Sequence, residues 1–347
     1  MAEFDPIDHW FDKGFRIEKT KRPKAAAITK VRAASGHTSA KAGVKFSSSA
    51  KIKNIKSVIN KSPEVVVKIT GKSNGLKTLK NHLDYISRNG ELELKNEREE
   101  TIKGRAGLKD IQNELKALKF IPDESKDREY IHVLFSMPAS TPEAELKSAV
   151  EQFCKEEFAN RRYVMALHND TDHTHMHVAV GTRDKDNHQT DYGHQERLSP
   201  RKNDLFRWRQ GFADKLRENG IDAAASERRH RFNYRKAENA TVRQIKDKTS
   251  NTPKVSQDLA EEIKVALKAG NRPLNPALEK AEANKQEALE GWQKVAENLE
   301  ASGDNELAKK VRAFMSEADN PIVTRNQELY DKAQEKDRGK EEVELDL

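Results

Sequence analysis

Between residues 162 and 181 the chain reads RYVMALHNDTDHTHMHVAVG, in which two runs of apolar and β-branched residues flank a short polar stretch. This pattern is typical of the two antiparallel strands of a hairpin. Because side chains alternate between the faces of a strand, His175 and His177 should share one face, and Met176 and Val178 should point into the core on the other. The hairpin would fold His168, at the end of the first strand, back toward the histidine pair.

These histidines predict a metal site. Four of the eleven histidines in the chain fall within the ten residues from 168 to 177. Three imidazoles on one sheet face can hold an ion, and the candidate ligands are His168, His175 and His177. Asp170 and Asp172 could orient a ligand imidazole or bind the ion themselves. The alternative is a polar hairpin tip that is rich in histidine by accident.

The segments around the hairpin predict an α+β fold. Apolar residues at helical spacing, or β-branched runs bounded by turn residues, mark the other elements. We predict helices over 76–86, 107–120, 142–160 and 202–219, and strands over 63–70 and 130–137. This order favours an antiparallel sheet with helices packed on it.

Charge and composition divide the 347 residues into three parts. Residues 1–61 are predicted to be a basic, largely disordered arm, residues 62–239 a folded domain, and residues 240–347 a helical region with a frayed tail. Residues 1–62 hold 14 basic and 5 acidic side chains, and Arg197–Lys236 holds 12 basic and 5 acidic ones. Two basic blocks beside a nearly neutral core indicate nucleic acid as the partner, with solvated lysines of no binding role as the alternative.

Some classes of protein are excluded by what the sequence lacks. There is no run of 18 apolar residues, and residues 1–24 lack the apolar region of a signal peptide, so we expect neither a membrane span nor secretion by that route. The single cysteine, Cys154, excludes a disulfide scaffold and suits a reducing compartment. The sequence therefore predicts a cytoplasmic protein.

Tyr85 is the candidate nucleophile. In the helix predicted over 76–86, the apolar stripe is centred about 140° from this residue, so its phenol is not a core filler. Arg88 follows within one turn and could contact a phosphate beside it. A solvent-exposed tyrosine without a role is the alternative, and the nearby metal site and basic flanks favour the nucleophile.

Three stretches together resemble conjugative relaxases of the MOBP mobilisation type, members of the HUH endonuclease superfamily. LKNHLDYISRNGELEL at residues 79–94 is similar to their first motif, in which a tyrosine attacks DNA. IHVLFSMPAST at residues 131–141, which includes Ser136, is similar to the second motif, and the histidine cluster resembles the third. The segment Arg201–Arg235 resembles the basic helix and arm that often follow.

The resemblance implies a palm-like antiparallel sheet and a relaxase that nicks one strand at an origin of transfer. Tyr85 would form a reversible 5′-phosphotyrosyl adduct with the help of Mg²⁺ or Mn²⁺, with Zn²⁺ as a further option. In some members an acidic residue replaces one ligand histidine, so Asp172 competes with His168 as third ligand, and Asp172 or Asp170 is also the candidate base. The candidate DNA contacts are Arg88, Ser136, Arg201, Lys202, Arg209, Arg228, Arg229 and Arg231.

The partners implied are single-stranded DNA at the transfer origin, relaxosome accessory proteins, and the type IV coupling protein and secretion system that export the DNA-bound relaxase. One alternative is a rolling-circle replication initiator with the same metal chemistry, although the chain has no GxxxxGK[ST] motif of a helicase. Another is a non-catalytic nucleic-acid-binding protein with a structural metal. A closed structural site normally has four protein ligands, whereas three histidines leave positions open.

Overall fold

The computed structural model describes residues 48–118, 120–169, 173–185, 197–234, 254–273 and 277–345, and the single positions 242 and 245. This part of the chain divides into two compact units, with the division between Ser226 and Glu227. The division lies earlier than the expected boundary after residue 239. Its physical reason is that residues just after the division contact the helices that follow: Arg229 pairs with Glu287 at 2.8 Å, and the carbonyl of His230 accepts a 2.8 Å hydrogen bond from the indole of Trp292.

The first unit contains the sheet and its helices. Its elements in chain order are α1 (Ser48–Ile59), β1 (Val66–Ser73), α2 (Leu76–Ile86), β2 (Leu94–Asn96), β3 (Thr101–Ile102), α3 (Gly104–Ala117), β4 (Tyr130–Ser136), α4 (Glu143–Glu157), β5 (Arg161–His168), β6 (His175–Asp184) and α5 (Lys202–Glu218). The strands form one six-stranded sheet in the order β1-β4-β6-β5-β2-β3. All neighbouring strands are antiparallel, so the predicted α+β class is confirmed. The short strands β2 and β3 were not predicted from the sequence.

The two faces of the sheet are covered by different helices, one face by α4 and α5 and the other by α2 and α3. On one face the large apolar side chains of β4, β5 and β6 pack against α4 and α5, and Met176 and Val178 lie in this core as the alternation predicted. On the other face the strands present small residues, Ala166 and Ala179, to Leu79, Leu83 and Ile86 of α2. The small residues let α2 approach the sheet closely, on the face that also carries His175 and His177.

Helix α1 lies in the segment expected to be a disordered arm. Ile55 and Val58 are almost fully buried, while Lys53 and Lys56 are exposed. The side chain of Asn54 also exchanges two 2.9 Å hydrogen bonds with the backbone of Ala225. Ile52, Ile55, Val58 and Ile59 recur at helical spacing over two turns, so the sequence carries a signal for this helix, which the lysine-rich composition of the arm obscured. The rest of the predicted arm, residues 1–47, lies outside the described residues.

The second unit is helical. It contains a short 3₁₀ turn, Arg228–Arg231, followed by α6 (Lys254–Lys268), α7 (Ala277–Ala301), α8 (Asn305–Met315), a 3₁₀ turn Ser316–Asp319, and α9 (Arg325–Leu345). The buried indole of Trp292 donates a 2.8 Å hydrogen bond to the carbonyl of His230 and packs its ring 5.2 Å from Phe314. The tail that was expected to fray is helical as far as Leu345. Within the described residues, no helix combines the length and apolar character needed to cross a membrane.

Candidate active site

The β5–β6 hairpin brings the three predicted ligand histidines together. His168 lies directly opposite His175 in the strand register, and His177 lies opposite Ala166. The ring centroids are 4.7 to 5.2 Å apart. One nitrogen from each ring lies within 4.8 Å of those of the other two. We call His168, His175 and His177 the imidazole trio.

Two members of the trio are oriented by backbone carbonyls. Nε2 of His168 donates a 2.7 Å hydrogen bond to the carbonyl of Ile86, and Nδ1 of His175 donates a 2.9 Å bond to the carbonyl of His173. A carbonyl only accepts, so these nitrogens carry the protons and the lone pairs lie on Nδ1 of His168 and Nε2 of His175. Metal-binding histidines are typically held in this way by their second nitrogen.

The third member, His177, has the features of a ligand without its ion. Both of its ring nitrogens are buried and form no hydrogen bond with any described residue. Burial, and then the neighbouring imidazoles of the trio, lower the pKa of His177 to about 3, so the ring is neutral at pH 7. A buried polar group without a partner is costly. The donor set of three imidazoles therefore fits a divalent metal ion.

Tyr85 lies beside the imidazole trio, on the last turn of α2. Its ring centroid is 5.7 Å from that of His177 and 6.4 Å from that of His168. The side chain is 55% exposed, and it is the exposed one among the five tyrosines in the described part of the chain. The expectation that this phenol is not a core filler is therefore confirmed, and it stands where a ligand on the sheet face would meet it.

The turn after α2 places Arg88 next to the phenol. Three consecutive residues, Arg88, Asn89 and Gly90, have positive φ angles of 52°, 58° and 94°. At Gly90 a Cβ atom would lie 2.8 Å from the backbone of Gly104, so the tight turn requires glycine there. The Arg88 guanidinium lies 5.6 Å from the Tyr85 ring centroid, and its Nη2 is 3.5 Å from Nδ1 of His168. A cation is thus held between the phenol and the trio.

Two further histidines at this site were not assigned any role from the sequence. The rings of His82 and His132 are parallel within 1°, with centroids 3.3 Å apart. His82 is 6.3 Å from Tyr85 and 6.4 Å from His177, between ring centroids. A signal was available, because His82 precedes Tyr85 by three residues on the helix and His132 shares a strand face with Ser136. What the sequence does not show is that the two faces meet.

The remaining candidate residues are more scattered. Ser136 is buried and lies opposite His175 in the β4–β6 register. Arg201 and Lys202 are exposed at the start of α5, Arg209 is half-buried on the same helix, and Arg228 and Arg231 lie in the second unit. Arg229 is buried and pairs with Glu227 and Glu287, at 3.1 and 2.8 Å, so its charge is used inside the second unit. Asp170 and Asp172 lie outside the described residues.

The part of the chain that carries Tyr85 and the imidazole trio is similar to known nucleases. Residues 85–221 match the family model of the relaxase, MobA/VirD2-like, nuclease domain. The resemblance to relaxases inferred from the three motifs is therefore confirmed. We call residues 85–221 the relaxase segment. Assignment to the MOBP mobilisation type stays a prediction.

A curated relative supports the same assignment. The T-DNA border endonuclease VirD2 of Rhizobium rhizogenes is 30% identical to the chain over 141 residues, which cover 35% of this chain and 31% of VirD2. The chain thus spans about a third of that relative's length. The activity of the whole protein is considered below as a proposal.

The imidazoles beside Tyr85 predict a loss of stability in mild acid. Burial is the main cause, and a neighbouring imidazole the second, that lowers the pKa of His82 to about 3 and that of His132 to about 4. The pKa of His177 is lowered to about 3 by the same kinds of cause. In the unfolded chain these groups titrate near 6.5. Protonation therefore favours unfolding, and their contribution to stability is complete above pH 6.5 and is lost as the pH falls toward 4.

We expect the melting temperature of the chelator-treated protein to fall between pH 6.5 and 4.5. Carboxylates also titrate in this range, so the control is His82→Phe, which removes one of the three groups and should make the fall shallower. Melting curves at half-unit pH steps measure both proteins. The same pH dependence in both would contradict the assignment for His82.

Proposed function

We propose that the protein is a relaxase that nicks one DNA strand at an origin of transfer, with Tyr85 as the nucleophile. The observation that carries this proposal is the position of the exposed phenol, 5.7 Å from His177 between ring centroids, within a segment that matches relaxase nuclease domains. A nuclease that attacked with water would need no tyrosine at this place. A phosphotyrosyl link keeps a reactive ester, which a 3′-hydroxyl can later attack to reseal the strand.

The imidazole trio would hold a divalent ion, Mg²⁺ or Mn²⁺, with Zn²⁺ as a further option. When bound, such an ion withdraws charge from a non-bridging phosphate oxygen and orients the phosphate, which is worth several kcal/mol. His168, His175 and His177 supply three nitrogens and leave room for oxygen ligands. Asp172 is the competing third ligand.

The atoms exchanged in the covalent step come from the chain and the DNA. The phenol oxygen of Tyr85 bonds to phosphorus, and the bond from phosphorus to the 3′ oxygen breaks. The phenol loses one proton and the departing 3′ oxygen gains one, which leaves a 3′-hydroxyl and a 5′-phosphotyrosyl ester. Asp172 or Asp170 is the proposed proton acceptor. The guanidinium of Arg88, 5.6 Å from the Tyr85 ring, is placed to contact the negatively charged phosphate.

Binding of the DNA is assigned to the basic residues of the chain. Arg201, Lys202 and Arg209 on α5, and Arg228 and Arg231 in the second unit, would contribute salt-dependent contacts with the backbone. Ser136 lies opposite His175 on the sheet face, where the scissile nucleotide would pass. Arg229 is a poor candidate because it is buried against two carboxylates.

Further parts of the proposal concern the cell. We propose that the protein acts in the cytoplasm on single-stranded DNA at the transfer origin, together with relaxosome accessory proteins. The adduct would then be passed to a type IV coupling protein and secretion system. Reversal of the phosphotyrosyl bond would religate the strand after transfer.

The test is incubation of the protein with supercoiled plasmid that carries the cognate transfer origin, in Mg²⁺ or Mn²⁺, followed by protease and detergent. We expect relaxation at one site on one strand, with a 5′ end blocked by peptide and a 3′-hydroxyl that a polymerase extends. A plasmid without the origin is the control. Unchanged supercoils despite tight binding would favour the non-catalytic binder, and a nick with an open 5′ end would contradict tyrosine attack.

A further inference from the structure

A parallel pair of histidines lies between the nucleophile's helix and the sheet. His82 projects from α2, and His132 projects from β4 on the face that also carries the imidazole trio. Their rings are 3.3 Å apart and parallel within 1°. Burial lowers the pKa of both, so neither ring carries a charge that would repel the other at pH 7. The contact is thus a face-to-face stack of two rings between which there is no charge repulsion.

His132 is held firmly by strand β1. Its Nε2 lies 2.8 Å from Oγ of Ser73, and its backbone carbonyl accepts a hydrogen bond from the hydroxyl of Thr70. The strand register shifts between Ile69 and Gly71, directly beside this ring. A Cβ atom at Gly71 would lie 2.9 Å from Nδ1 of His132, so the absence of a side chain gives the ring its space.

The ring of His82 stacks on the ring of His132, and His82 lies about one helical turn before Tyr85 on α2. Its Nε2 is buried and makes no hydrogen bond with the described residues, which is unfavourable relative to a paired group. An apolar side chain here would avoid that cost. The stability of the helix therefore does not explain the choice of histidine, whereas the flat ring does explain the close parallel contact.

The stack adds a restraint on the rotation of α2 about its own axis. Leu79, Leu83 and Ile86 form one stripe that packs the helix onto the sheet, and a contact to one side of this stripe adds resistance to rotation of the helix about its own axis. With side-chain tips about 6 Å from a helix axis, a rotation of roughly 20° moves a tip by about 2 Å. A displacement of about 1 Å at a reacting atom can cost about 100-fold in rate. A flat contact to one side of the stripe prevents this rotation.

We propose that His82 is a positioning residue that holds Tyr85 over the imidazole trio by stacking on His132. The inference rests on the proposed function, because it assigns to Tyr85 the role of nucleophile. His82 acts through its ring plane and its contact with His132. It neither touches the phosphate nor carries the phenol proton.

The test compares His82→Ala with His82→Phe, which keeps a flat ring and removes the nitrogens. The rate of covalent adduct formation is measured in single-turnover reactions with an oligonucleotide that contains the nick site, and the affinity is measured with the same oligonucleotide. We expect the adduct rate of His82→Ala to fall about 10- to 100-fold with unchanged affinity and an unchanged pH profile. His82→Phe should restore most of the rate and melt no lower than the wild type.

A second measurement does not depend on activity. In protein labelled with 3-fluorotyrosine, the Tyr85 signal is identified by its absence from Tyr85→Phe. We expect this signal to be shifted or broadened in His82→Ala and restored in His82→Phe. Gly71→Ala, which crowds the Nδ1 edge of the His132 ring, should change the signal and the adduct rate in the same direction as His82→Ala.

The outcomes separate the two proposals. If the wild type forms no adduct, the proposed function fails, and the fluorine signal alone decides whether the stack positions Tyr85. If the wild type reacts and His82→Ala reacts equally fast, the inference is wrong. It is also wrong if His82→Phe folds but is as slow as His82→Ala, because the nitrogen and not the stack would then matter. Should His82→Ala fail to fold, His82→Phe and Gly71→Ala still carry the test.

Discussion

Replacing Tyr85 with phenylalanine should abolish the covalent protein–DNA adduct while leaving oligonucleotide affinity within about twofold. Removal of the nucleophile from a covalent mechanism lowers the rate of strand cleavage by about 10⁴- to 10⁶-fold. The remaining groups can bind and polarise the phosphate, but they cannot form the bond to phosphorus that makes the adduct. The phenyl ring keeps the contacts of the tyrosine ring with His177 and Arg88. The adduct is detected as a band of reduced mobility in a denaturing gel with a labelled oligonucleotide.

Tyr163→Phe is the matched control for this substitution. Tyr163 is buried on the opposite face of the same sheet, in the core that α4 and α5 cover. The Tyr163→Phe variant loses the same single oxygen, but on the face of the sheet away from the imidazole trio. Its adduct yield should therefore equal that of the wild type. Adduct formation by Tyr85→Phe at the wild-type rate would overturn the assignment of the nucleophile, and a mapped peptide would then show which side chain attacks.

The site could be predicted from the sequence where its geometry follows from local periodicity. Alternation along β6 places His175 and His177 on one face, and the return of the hairpin brings His168 opposite His175. The stripe of α2 likewise leaves Tyr85 outside the core. In each case the side chains belong to one strand pair or one helix, so a period of 2 or 3.6 residues determines their relative directions.

The parts that escaped prediction depend on contacts between distant segments. The stack of His82 on His132 joins residues 50 positions apart and requires a register shift and a glycine on a third element, β1. The burial of Arg229 against Glu287 depends on a helix more than 50 residues away. Periodicity describes one element at a time, and it therefore carries no information on which faces meet.

A hydrogen bond also links the imidazole trio to the helix that carries Tyr85. The carbonyl of Ile86, the residue after Tyr85, accepts the hydrogen bond from Nε2 of His168. One bond thus fixes the tautomer of a candidate metal ligand and ties it to the helix that carries the nucleophile. Movement of α2 would disturb both the candidate ligand and the phenol, so we expect binding of an ion by the trio to be coupled to the placement of Tyr85 through this bond.

Replacing His177 with alanine should weaken the binding of Mn²⁺ by at least about 100-fold. Loss of a group that merely orients a ligand costs 10- to 100-fold in metal affinity, and loss of a ligand itself should cost no less. Adduct formation at low Mn²⁺ should fall in parallel and recover partly as the concentration of Mn²⁺ is raised. Titration calorimetry measures the affinity, and melting curves without metal verify that the variant is folded.

Two comparisons make the metal prediction specific to the trio. His173→Ala removes an exposed imidazole from the same hairpin but keeps the backbone carbonyl that holds His175, so its Mn²⁺ affinity should match that of the wild type. His168→Ala and Asp172→Asn distinguish the two candidates for the third ligand, because only loss of a true ligand should weaken binding as much as loss of His177. If His177→Ala binds Mn²⁺ as tightly as the wild type, the ion does not sit on the trio. The buried, unbonded nitrogens of His177 would then lack the partner that best explains them.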